Sequence, residues 1–77
     1  LKSVAEVLIE VLRIDPADVA KNLTMQDVET WNSLTHLELV ITFEDSCSIQ
    51  LSGDDIVAMT SFDGLRQVLA AHGVPAQ

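Results

Sequence analysis

The stretch Glu29-Thr30-Trp31-Asn32-Ser33-Leu34-Thr35-His36-Leu37-Glu38-Leu39-Val40 decides how this chain is read. A loop ends in it and a long helix begins. On a wheel at 3.6 residues per turn, residues 33–47 carry two apolar stripes. Leu39, Val40, Phe43 and Cys47 share one face, and Leu34, Leu37 and Ile41 share another, roughly opposite. Glu38, Glu44 and Asp45 flank the second stripe. A surface helix needs only one stripe to face its core. A chain of 77 residues has few elements with which to cover both. The first stripe is therefore expected to pack. The second is expected to lie near solvent, rimmed by acids, as a partner-binding surface does. The alternative is a central helix covered on both sides.

Ser33 opens this helix, directly after Asn32. Both residue types are preferred N-caps, so one of the two should cap here, and capping is the ordinary role for such a serine. A hydroxyl at this position also sits where unsatisfied backbone N–H groups and the helix dipole favour a phosphate. Position alone leaves both roles open.

Trp31-Asn32-Ser33-Leu34, followed by His36-Leu37-Glu38-Leu39-Val40, resembles the attachment motif of acyl carrier proteins and their peptidyl carrier relatives. In that family an Asp-Ser-Leu triplet opens the second helix, and its serine carries a 4′-phosphopantetheine arm. The resemblance implies that Ser33 is the attachment residue, flanked by Asn32 and Leu34. Asn32 stands where the family has aspartate; it keeps the capping oxygen and lacks the charge. The resemblance extends over nearly the whole chain. It implies an all-α fold, a small antiparallel four-helix bundle of three main helices and one short one. It also implies a carrier rather than an enzyme. A phosphopantetheinyl transferase would load the arm from coenzyme A, with the magnesium belonging to the transferase. Acyl-loading and acyl-processing enzymes of fatty-acid, polyketide or related pathways would then be the partners. Two other readings stay open: a peptidyl or aminoacyl carrier of non-ribosomal type, and an unmodified helical interaction module in which Ser33 is only a cap.

Charge narrows the classes. The formal net charge is -8, from 4 basic and 12 acidic residues. Nucleic-acid binding, which needs a basic footprint, is not expected. Basic partners reached by electrostatic steering are. No Lys or Arg lies between Lys21 and Arg66, whereas Asp27, Glu29, Glu38, Glu44, Asp45, Asp54, Asp55 and Asp63 do. The motif helix thus occupies the most negative part of the chain, and Leu34, Leu37, Glu38, Ile41, Glu44 and Asp45 are its candidate partner-binding residues. One cysteine excludes an internal disulfide framework, and Cys47 reads as core packing. No run is long enough to span a membrane and none reads as a signal peptide, so a cytosolic monomer is the expectation. Leu1 in place of an initiator methionine points to a trimmed chain or one excised from something longer.

The remaining elements fall into place around the motif in one domain, 1–77. Ser3 and Glu6 form a capping box for a helix over about 3–14. Val4, Val7, Leu8, Val11 and Leu12 line one face of it, each contributing about 1.5–3 kcal/mol if buried. Asp15-Pro16 ends that helix, since the residue before proline is pushed out of the α region. A long loop, 15–32, follows, with one short turn at Pro16 and with Val19, Leu23, Met25 and Val28 as pins onto the core. It delivers Trp31, read as a packing residue. Ser46 to Gly53 is a link with Ile49 or Leu51 turned inward. Ser52 and Asp55 box a short helix over about 53–59; Thr60 and Asp63 box a last one over about 61–72. Gly73, then Val74-Pro75, should close it with a left-handed cap, leaving Ala76-Gln77 frayed.

Catalysis and metal binding find little support. Ser33 and His36 are neighbours on the helix, but no orienting third group or oxyanion site accompanies them. His36 lies nearer the core stripe and reads as a satisfied boundary histidine. His36, Cys47 and His72 are isolated, which excludes a paired-ligand metal motif. Asp54-Asp55 lacks calcium-loop spacing. Gly53, Gly64 and Gly73 form no phosphate loop.

Overall fold

The computed structural model describes residues 3–74, and over them every helix starts on a side-chain cap. Helix α1 spans Val4–Leu12, with the Ser3–Glu6 capping box in place. A 3-10 turn, Pro16–Asp18, starts on Asp15, whose Oδ1 accepts the Ala17 N–H. Helix α2 spans Ser33–Cys47, α3 Gly53–Ala58 and α4 Phe62–Ala71. The fold is all-α, and no strand occurs among the described residues.

The helix ends have local causes. Arg13 and Ser48 adopt left-handed backbone, φ 56° and 54°, and stop α1 and α2. Helix α1 therefore ends at Leu12, two residues short of the expected end at 14. Its last carbonyl accepts instead from the Thr30 hydroxyl, across the loop. Gly73, at φ 83°, closes α4: the Gly73 N–H reaches the Ala70 carbonyl and the Val74 N–H the Leu69 carbonyl. This doubled return satisfies two carbonyls that a helix end leaves unpaired. Pro75 and the expected fraying of Ala76-Gln77 lie outside the described residues.

The Thr60–Asp63 box expected at the start of α4 is not made. Ser61 is the cap, accepting the Gly64 N–H. Thr60 is engaged elsewhere, since its carbonyl accepts the Met25 N–H, while the Phe62 N–H reaches the Leu23 carbonyl. Together these form an isolated antiparallel bridge, Thr24 with Ser61. The Asp63 N–H bonds Asn22 Oδ1.

Helix α1 packs on α2, and α3 sits against α4. Val4, Val7, Leu8 and Leu12 meet Leu39, Val40 and Phe43 in a core closed by Met59, Phe62, Leu65 and Leu69. Leu51 is buried and Ile49 half-buried, so both turn inward from the link. Cys47 is a half-buried free thiol at the edge of this core. The long connection lies on the core through Val28 and Trp31, with Val19, Leu23 and Met25 packed beside them. No described helix is long and apolar enough to cross a membrane.

Candidate functional site at the mouth of helix α2

Asn32, in extended backbone, caps α2. Its Oδ1 accepts the N–H groups of Leu34 at 2.9 Å and Thr35 at 3.1 Å. Thr35 returns the favour: its Oγ1 accepts the Asn32 N–H at 2.9 Å and donates to the Thr30 carbonyl at 2.8 Å. Capping, the ordinary role for Ser33, is thus taken by its neighbour. The Ser33 side chain is exposed, and its hydroxyl makes no hydrogen bond among the described residues. No acid occupies the first turn of α2, so the positive end of the helix dipole is not offset there.

Beneath this mouth the loop is fixed by aromatic packing. Trp31 is buried and stacks on Phe62, with ring centroids 5.5 Å apart. Its indole N–H donates to His36 Nδ1 at 3.0 Å, and His36 Nε2 lies 2.9 Å from the Ile56 carbonyl. An indole only donates and a carbonyl only accepts, so the ring is neutral with its proton on Nε2. His36, 8% exposed, is therefore a satisfied structural histidine with no nitrogen left to act as a base on Ser33. Thr30, by reaching the Leu12 carbonyl, ties the end of the loop to α1.

The second stripe of α2 faces solvent: Leu34 is 68% exposed, Leu37 53% and Ile41 57%. Glu38 and Asp45 are exposed beside it. Glu44 is half-buried and its carboxylate accepts the Leu51 N–H at 2.9 Å, so it fastens the link. One further apolar residue stands out: Val57 on α3 is 74% exposed. The His36–Ile56 bond brings that turn of α3 against the start of α2. Sequence reasoning missed Val57 because α3 has only six residues, too few for an apolar period to show.

Two charged groups depart from their ordinary titration. A hydrogen bond from His72, 3.0 Å away, holds the Asp55 carboxyl below the usual carboxylate range, helped by the Ser52 backbone N–H. The Asp18 carboxylate, hydrogen-bonded to Lys21, raises the lysine. Neither lies at the mouth of α2. No cluster of His, Cys, Asp and Glu able to hold a metal occurs among the described residues.

Comparisons with protein-family models, with curated proteins and with solved structures give no match. The functional reading therefore rests on the residues themselves.

Proposed function

We propose that this chain is a carrier domain with the four-helix bundle of acyl carrier proteins, bearing a 4′-phosphopantetheine arm on Ser33. The observation that carries this reading is the division of labour at the helix mouth. Asn32 does the capping, and the Ser33 hydroxyl is left exposed and unbonded at a helix start with no acid in its first turn. Such a hydroxyl fits a phosphodiester: it is open to an incoming transferase, and the helix N-terminus favours the anion. When attached, the arm supplies a thiol that holds an acyl group as a thioester.

The chain's own residues do the rest. The Asn32–Thr35–Thr30 hydrogen bonds hold Ser33 on a fixed helix end. Leu34, Leu37 and Ile41 form an apolar docking strip, and Glu38, Glu44 and Asp45 steer basic partner surfaces toward it. That steering acts on the association rate and weakens with salt. The partners are a phosphopantetheinyl transferase and enzymes that load or process the acyl group.

The test is intact-protein mass spectrometry after incubation with coenzyme A, magnesium and a promiscuous phosphopantetheinyl transferase. A single phosphopantetheinyl addition, located on Ser33 by fragmentation, is expected. A folded protein that gains nothing, while a control carrier is loaded, would leave the unmodified interaction module as the better reading.

A further inference from the structure

Helix α3 is the most lightly buried of the four α-helices. It contains no buried residue, and its firm neighbours Leu51 and Met59 lie just outside it. Both of the chain's two histidines bond to it, one from α2 and one from the end of α4. On the α4 side, His72 Nε2 meets Asp55 Oδ2 at 3.0 Å. On that side too, the Ala58 carbonyl rests over Gly64, where a Cβ would lie 2.3 Å from the oxygen. On the α2 side, His36 to the Ile56 carbonyl is the one hydrogen bond between the two helices among the described residues.

That bond depends on a proton count. The two partners of His36 fix its roles: Nδ1 must accept from Trp31, and Nε2–H must donate to Ile56. An imidazolium carries N–H on both nitrogens and would set a donor against the indole donor. The ring is buried, so water does not take over the lost bond, and the unmet donor is costly. Charged groups around the ring do not relieve it. Glu29 on the connection, Glu38 on α2 and Asp54 on α3 are exposed, as are Glu6 and Glu10 on α1 and Arg13 just past it. Asp55 is bound to Ser52 and His72. Arg66 of α4 lies over the Phe62 ring. Among the described residues, no carboxylate comes within 4.0 Å of His36.

We propose that His36 is a protonation-sensitive latch: the neutral ring holds α3 against α2, and a proton on Nδ1 releases α3 from α2 while α4 keeps its grip. His72 responds with the opposite sign, because a charged imidazole pairs more strongly with the Asp55 carboxylate. Acid therefore loosens one side of α3 and tightens the other. The helix turns about its contacts with α4, carrying the exposed Val57 with it. The latch does not depend on what Ser33 carries.

Nuclear magnetic resonance of the unmodified chain tests this between about pH 8 and about pH 5, where histidine titrates. At the upper end His36 should show the neutral Nε2–H form. On acidification, loss of the Trp31 indole N–H signal should track the His36 titration. Over the same range, α3 amide protection, corrected for intrinsic exchange, should fall relative to α1 by up to about tenfold per pH unit, the response to one proton. His36→Gln offers an acceptor and a donor without titrating, and should abolish the fall; His72→Gln should not. Unchanged α3 protection across the His36 titration, or a fall that persists in His36→Gln, would overturn the latch. Should His36→Gln fail to fold, the wild-type titrations decide. Matching midpoints for His36, the indole and α3 support the latch, and separate midpoints refute it.

Discussion

At the scale of single residues, Asn32 and Ser33 divide two jobs that a sequence cannot assign between them. Both can cap. The structure gives the capping bonds to Asn32 alone. Ser33→Ala should therefore leave stability within about 0.5 kcal/mol, the range of uninvolved surface changes. Asn32→Ala should lower it by about 1 kcal/mol, as lost caps do. Urea unfolding of the two variants checks the contrast, and mass spectrometry of Ser33→Ala should find no loading. Asp55 gives a separate expectation. Its carboxyl titrates below its ordinary value of 3.8. The stability it contributes is fully present above that value and is lost as pH falls through the lower folded one. Acid unfolding should therefore show wild type losing, below about pH 4, an advantage that Asp55→Asn never had.

At the scale of elements, much of the chain was legible. The wheel over residues 33–47 separates Leu39, Val40 and Phe43, all buried, from Leu34, Leu37 and Ile41, all exposed. The Ser3 and Ser52 boxes follow from three-residue spacing. What escaped was set by contacts distant in sequence. Thr60 looks like a cap, but its carbonyl accepts the Met25 N–H beside the Thr24–Ser61 bridge, and the capping bond is made by Ser61. Glu44 looks like a plain surface acid, but it receives the Leu51 N–H. No local rule shows that Trp31 and His36 bond each other, or that His36 then reaches Ile56. Two expectations belong here. Ile41→Glu should keep the fold, with stability changed by no more than about 0.5 kcal/mol. On the proposed carrier function, it should weaken binding of a basic partner such as the transferase, measured by calorimetry. Gly64→Ala improves helix propensity yet should destabilise by about 1–3 kcal/mol, because the new Cβ meets the Ala58 carbonyl. Thermal unfolding reads the sign.

At the scale of the whole molecule, the helices fall into two sequential pairs, α1 with α2 and α3 with α4. One core and the His36–Ile56 bond join the pairs, and the connection between α1 and α2 adds polar pins between them. Leu23, Met25 and Asn22 bond to Phe62, Thr60 and Asp63 at the start of α4, and Val19 accepts from Arg66. Trp31 completes the join by stacking on Phe62. A disturbance at the connection should therefore be felt by both pairs at once. Asn22→Ala should lower the unfolding midpoint as a single cooperative transition, with fluorescence of Trp31, the sole tryptophan, and helical circular dichroism falling together.

That pinning has a consequence in time. Two of the pins close spans of 41 and 47 residues in a chain of 77. Helical turns form within about a microsecond, but bonds across such spans wait for distant segments to meet. Synthesis delivers the N-terminus first. Ser33 and its helix would thus emerge before α4, with the loop before them still unfastened until Asp63 and Arg66 arrive. The mouth of α2 is finished only after α4 has been made. Any enzyme that recognises the fastened mouth would pass over a half-made copy.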